Sequence, residues 1–177
     1  MRPLLFGLAL LVALFVGREL HAPTVAPERT PSIVHAAAPR ALRSTGDEAV
    51  VVRAIDGDTV LLESGERLRY IGMDTPETKD PRKPVMCFGE RAHARNAELV
   101  EGKRVRLVRD VSDRDRYGRL LRYVYVGDTF VNLELVEEGY AKNYSYPPDI
   151  AHQAEIRAAE RRAREAKRGL WSECSGN

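Results

Sequence analysis

The chain has 177 residues, with 28 basic against 26 acidic side chains and a formal net charge of +2. That length excludes more than one ordinary domain with appendages. So small a net charge argues only weakly for a polyanionic partner, although clustered basic residues set local fields that the sum conceals.

Leu4 to Val16 is an apolar run behind Met1-Arg2-Pro3. It is shorter than the span of about 20 residues that crosses a bilayer, and it suits the apolar core of a secretory signal with Arg2 as its basic flank. Leu20-His21-Ala22 offers a cleavage site after Ala22, whereas Arg18 and Glu19 interrupt the usual pattern before it. Residues 1–22 therefore read as a signal peptide or an N-terminal membrane anchor, and the chain is expected to be exported. Residues 23–46 are rich in Ala, Pro and Thr without an apolar period, which predicts a flexible linker able to tether the folded part.

Residues 47–177 carry the folded domain. Ala49 to Val52 is β-branched, Asp56-Gly57 is a turn signal, and Thr59 to Leu62 resumes a strand. Arg67 to Met73 alternates polar with apolar, as a strand with one wet face does. Phe88 to Val100 turns helical and stops at Glu101-Gly102; Arg104 to Val108 and Leu120 to Val126 predict two more strands. Val131 to Gly139 reads as a short helix and Ile150 to Leu170 as a long charged one. Five strands with about three helices, one after the third strand, describe an α+β chain: an OB-fold β-barrel with helical decoration.

The chemistry lies in three motifs, Asp56-Gly57-Asp58-Thr59, Asp74-Thr75-Pro76-Glu77 and Arg114-Asp115-Arg116-Tyr117-Gly118-Arg119, with Arg69 ahead of the second. Each alone reads as an ordinary turn or a solvated surface. Together they supply hard oxygen ligands, a candidate base and fixed cations, the inventory for cutting a phosphodiester with a divalent metal. Pro76 stiffens its loop, so Asp74 could ligate through its side chain, Thr75 through its carbonyl, and Glu77 could reach a water. Guanidinium forks at Arg69 and Arg119 match the equatorial oxygens of a phosphoryl transition state. Convergence of Asp56, Asp58, Asp74 and Glu77 would require a cation. The absence of His and Cys from the motifs favours Ca²⁺ or Mg²⁺ over zinc, and export favours Ca²⁺. Tyr144 and Tyr146 could form a stacking wall for a base or pack on the barrel, and Tyr117 could bond a phosphate. Cys87 and Cys174 are the only cysteines; they form one bridge in an oxidising compartment or two thiols in the cytosol.

At Ile55-Asp56-Gly57-Asp58-Thr59-Val60, Arg69, Asp74-Thr75-Pro76-Glu77-Thr78, Asp115-Arg116-Tyr117-Gly118-Arg119 and Leu170-Trp171-Ser172 the chain resembles the staphylococcal nuclease (thermonuclease) family. The resemblance implies an OB-fold, Ca²⁺-dependent nuclease that cuts DNA and RNA and leaves 3′-phosphates. It implies Ca²⁺ ligation by Asp58, Asp74 and the Thr75 carbonyl, with Asp56 in support. Glu77 would position or deprotonate water, Arg69 and Arg119 would hold the phosphate, and Arg116 and Tyr117 would contact the nucleotide. A non-catalytic nucleic-acid-binding module of the same fold is the alternative. No repeat or heptad calls for an oligomer, so a monomer is expected.

Overall fold

The computed structural model describes residues 47–78 and 85–174. The expected leader (1–22) and linker (23–46) lie outside the described residues. In chain order the elements are β1 (Asp47–Asp56), β2 (Thr59–Leu62), β3 (Arg67–Tyr70), β4 (Gly72–Asp74), α1 (Gly89–Val100), β5 (Arg104–Val108), β6 (Leu120–Val126), β7 (Thr129–Phe130), α2 (Val131–Glu137), β8 (Lys142–Tyr144), α3 (Gln153–Glu165) and α4 (Leu170–Glu173).

The sheet runs β3-β2-β1-β5-β6, with β7 folded back on β6, and closes through a parallel pairing of β3 with β6. This is the five-stranded OB barrel. Closure depends on β1, whose first half pairs with β5 and whose second half pairs with β2 across two register shifts. Such irregularities bend and twist a strand, letting one strand serve both sides of a barrel. The core holds Val51, Val60, Leu68, Val105, Tyr123 and Val124; Tyr123 and Val124 are neighbours on β6, so that strand is covered on both faces.

The helices pack by small stripes. On α1, Ala92, Asn96 and Val100 are buried; on α3, Ile156, Ala159 and Ala163 are. The buried Asn132 at the start of α2 joins helix to barrel, accepting from the Val124 amide at 2.9 Å and donating to the Ile71 carbonyl at 2.9 Å.

Three elements depart from the sequence reading. The strand expected over Arg67–Met73 is two strands, because Gly72 takes a positive φ of 83° and a side chain there would meet Ile156 Cδ1 at 2.7 Å. The chain turns there, leaves the barrel and pairs with β8, a three-residue strand too short for a periodic signal. The long helix expected over Ile150–Leu170 ends at Glu165, where Lys167 takes φ 50° and the Arg168 amide bonds back to Ala163; a separate turn of helix follows. Cys87 and Cys174 are joined across 87 residues, tying the entrance of α1 to the end of α4. Closing a loop of that length contributes about 4–5 kcal/mol in the chain-entropy account.

Candidate active site

The turn between β1 and β2 delivers Asp58 into the barrel wall. It nests against the second acidic loop so closely that a Cβ at Gly57 would lie 2.7 Å from Thr75 Oγ1. Only glycine allows that approach. Asp58 is 2% exposed and accepts from the Thr75 amide, the Thr75 hydroxyl and the Thr59 hydroxyl, each at 3.0 Å, and from Arg69 at 2.5 Å. Burial pushes its carboxyl above the ordinary range. The neighbouring charge of Asp74 adds to that, while Arg69 and the Thr75 amide oppose it.

Arg69, on β3, spans two carboxylates, giving Nη1 to Asp58 and Nη2 to Asp74, both at 2.5 Å. Burial alone would loosen its proton; Asp58 and Asp74 hold the guanidinium charged. Asp74 reaches this place through the Gly72 kink and the register that sets it opposite Lys142. Among the described residues no three His, Cys, Asp or Glu side chains form a ready metal cluster. The expected ligand set asks for less, namely two carboxylates and a carbonyl. Its two carboxylates already bracket a cationic group, and all its donors are hard oxygens. Asp58, Asp74 and Thr75 therefore fit a hard divalent ion.

Asp56 accepts from the Gly57 amide and the Thr78 hydroxyl, both at 2.8 Å. Burial raises its carboxyl despite these bonds, and the charges of Asp58 and Glu77 raise it further, so the three acids lie within electrostatic reach. The Glu77 carboxylate receives the Thr78 amide at 3.0 Å, and its carbonyl receives the Met86 amide at 3.0 Å.

The cationic wall follows from barrel closure. Arg69 stands opposite Leu121 in the parallel pair, and Arg119 lies two residues before Leu121. Asp115 orients Arg119, accepting its Nε and Nη2 at 2.6 Å and the amides of Tyr117 and Arg119 at 2.9 and 3.0 Å. Burial acts to raise the Asp115 carboxyl, but these bonds outweigh it and hold it below the ordinary range. Arg116 donates to the Tyr117 hydroxyl at 2.6 Å and lies over the same ring.

Arg69, Asp74, Arg116, Tyr117, Arg119, Tyr144 and Tyr146 line one open cleft of about 730 Å³. Asp58 and Thr75 stand behind Arg69, and neither they nor Asp56 and Glu77 are part of that lining. Tyr144 and Tyr146 are exposed rather than packed on the barrel.

Supporting residues escaped the sequence reading. Asp115 has the i, i+4 spacing to Arg119 that signals a pair. Asn96 accepts from the Tyr70 hydroxyl at 2.8 Å and donates to the Asp56 carbonyl at 2.9 Å; a polar residue on the apolar face of α1 was its signal. Asp149 takes the amides of Val111 and Ser112 at 3.0 and 2.7 Å, fastening the Arg119 loop to the tyrosine segment, with no local signal.

The family model described as Staphylococcal nuclease homologue matches residues 67–173. The chain is 38% identical to the thermonuclease of Staphylococcus intermedius over 129 residues, covering 71% of this chain and 77% of that protein. It is 38% identical to the thermonuclease of Staphylococcus hyicus over 69% of this chain and 74% of that one. With the endonuclease YncB of Bacillus subtilis (strain 168) it shares 43% identity over 68% of this chain and 59% of the relative. A closed five-stranded barrel, arginines brought together by its β3–β6 seam and these matches agree: the chain belongs to the staphylococcal nuclease family.

Proposed function

We propose that the protein is a nuclease, a Ca²⁺-dependent phosphodiesterase that hydrolyses DNA and RNA and leaves 3′-phosphates. The observation that carries this is the single cleft lined by Arg69, Arg119 and Asp74, since paired guanidinium forks beside a hard-oxygen donor suit a phosphoryl centre. The thermonucleases it resembles support the substrate class.

Arg69 and Arg119 bind the phosphate and stabilise the charge that grows on its equatorial oxygens. Each has five N–H donors and spends only part of them on Asp58, Asp74 or Asp115. Glu77 takes the proton of the attacking water as a new P–O bond forms. The bond to the 5′ oxygen breaks, leaving a 3′-phosphate and a 5′-hydroxyl. Arg is too weak an acid to protonate that leaving oxygen, so solvent supplies the proton. Asp58, Asp74 and the Thr75 carbonyl, with Asp56 in support, would hold a calcium ion, which would supply Lewis-acid polarisation at the phosphoryl oxygen. Tyr117 and Arg116 contact a neighbouring phosphate, and Tyr144 and Tyr146 stack on bases. An N-terminal signal or anchor and a disulfide of the kind that persists in oxidising compartments support export, with the domain acting as a monomer outside the cytosol.

The test is cleavage of single-stranded DNA with Ca²⁺, then with excess chelator. Calcium-dependent products that release phosphate to a 3′-phosphatase are expected. Binding without cleavage by folded protein would overturn the reading in favour of a non-catalytic nucleic-acid module.

A further inference from the structure

The arginines of α3 divide by flank. Ile156, Ala159 and Ala163 are its buried stripe. On one side of that stripe Arg162 is satisfied by Glu137 at 3.0 Å. On the other side Arg157, Arg161 and Arg164 recur at i, i+4 and i+7, which places them on one face. Arg157 and Arg161 are exposed, and among the described residues neither has a carboxylate within ion-pair distance.

This flank borders the cleft. The Asn143 amide of β8 donates to Glu160 at 3.4 Å, joining the helix to that strand. Arg164 lies over the Trp171 ring at 4.1 Å, and Lys142 reaches the same ring at 5.8 Å. Lys142 and Tyr144 are two residues apart on one strand, so they project to the same side, and Tyr144 lines the cleft. Two acids lie on this flank: Glu160, 15% exposed and 3.5 Å from Arg164, and Glu165 at the end of the helix, exposed and four residues beyond Arg161; with Lys142 the row keeps four cations against these two.

We infer that Lys142, Arg164, Arg161 and Arg157 form an exosite that carries the backbone of a single-stranded polynucleotide away from the cleft along α3. This rests on the nuclease reading and extends it. Along α3 the arginines span about 10 Å, the rise of seven helical residues, with Lys142 beyond them; such a row is complementary to successive phosphates and makes no demand on base sequence. The ring of Trp171 between Lys142 and Arg164 holds two of those cations in place.

The full-length protein tests this with the double variant Arg157→Gln/Arg161→Gln. The control is Arg104→Gln/Arg162→Gln, which removes equal charge from arginines that have carboxylate partners. On a long single-stranded oligonucleotide the exosite variant should raise KM with kcat unchanged. The slope of log affinity against log salt should become shallower by about 1.4, two contacts at about 0.7 each. On a dinucleotide, too short to leave the cleft, its KM and kcat should equal those of the unaltered protein. Unchanged KM and slope on the oligonucleotide, an equal effect from the control, or an equal loss on the dinucleotide would each overturn the exosite. Oligonucleotide binding in chelator reads the same slope without turnover, so an unaltered protein that cleaves neither substrate sinks the nuclease reading while the exosite is still judged.

Discussion

On the barrel side of the cleft Asp58 is 2% exposed and held by Arg69, Thr59 and the amide and hydroxyl of Thr75. On the facing side Tyr117, Tyr144 and Tyr146 are 68%, 60% and 72% exposed. Their loops are fastened through the backbone, by Asp115 to the amides of Tyr117 and Arg119 and by Asp149 to those of Val111 and Ser112. The difference follows from what each side handles. Charge concentrated around a phosphorus atom is stabilised by groups that need no reorganisation at the moment of reaction, and a barrel wall holds them. Bases vary in size and identity, and exposed rings on loops accept any of them. Substitutions on the barrel side should therefore fall on turnover, and those on the tyrosine side on affinity.

The strongest way to break this division is Glu77→Gln. Its backbone is held by Met86, and its side chain receives the Thr78 amide, which an amide oxygen can still accept. Fold and nucleotide affinity should persist while kcat falls about 10²- to 10⁴-fold, the scale of a lost general base. Near-normal turnover would remove Glu77 from proton transfer. Arg119→Ala comes next, with an expected loss of about 10²- to 10³-fold in kcat, as for one oxyanion donor. A change confined to KM would move Arg119 to the affinity side of the comparison.

Tyr146→Ala and Tyr144→Ala sharpen the other side. Each should cost binding about 1–3 kcal/mol if its ring stacks on a base, read as a raised KM with kcat and thermal stability unaltered. A fall in kcat without a change in KM would show that the ring positions the reacting phosphate instead.

The two sides also differ in how far they could be read from sequence. The acidic turns were legible because Asp56-Gly57-Asp58 and Thr75-Pro76 restrict the backbone locally. Arg69 and Arg119 were expected on one phosphate, but the device that brings them together was not legible, since it is the parallel β3–β6 seam, a pairing between strands about fifty residues apart in sequence. Nor was the route of Asp74, which depends on the turn at Gly72 and on a three-residue partner strand. The acids were expected to converge on a cation; between Asp58 and Asp74 stands the guanidinium of Arg69. Its presence there was invisible because sequence assigns Arg69 to substrate without showing what it touches at rest. The OB barrel itself was legible from alternation and turn chemistry.

The smallest effect is expected where the two sides meet, at Asp115→Asn. The asparagine oxygen keeps the amides of Tyr117 and Arg119, so the loop should hold its shape. What is lost is the acceptor of the guanidinium: Nε and Nη2 of Arg119 both give to Oδ2, and the amide nitrogen that takes its place is a donor and accepts neither. Arg119 keeps its charge but loses the contact that orients it, so kcat should fall about three- to tenfold, a small part of the loss expected for removing the side chain, with KM little altered. Stability should change in acid with a definite sign. The folded carboxyl lies below its ordinary value, with burial opposing and the Arg119 and Tyr117 bonds prevailing, so the unfolded chain binds its proton first. The pair therefore adds stability above an unfolded pKa of about 3.9, and that contribution disappears as pH falls through the lower folded value. Thermal unfolding followed from neutrality into acid should show the two proteins converging below that point. Parallel curves would mean that the carboxylate contributes no charge to the pair, and that Arg119 is oriented by the loop backbone alone.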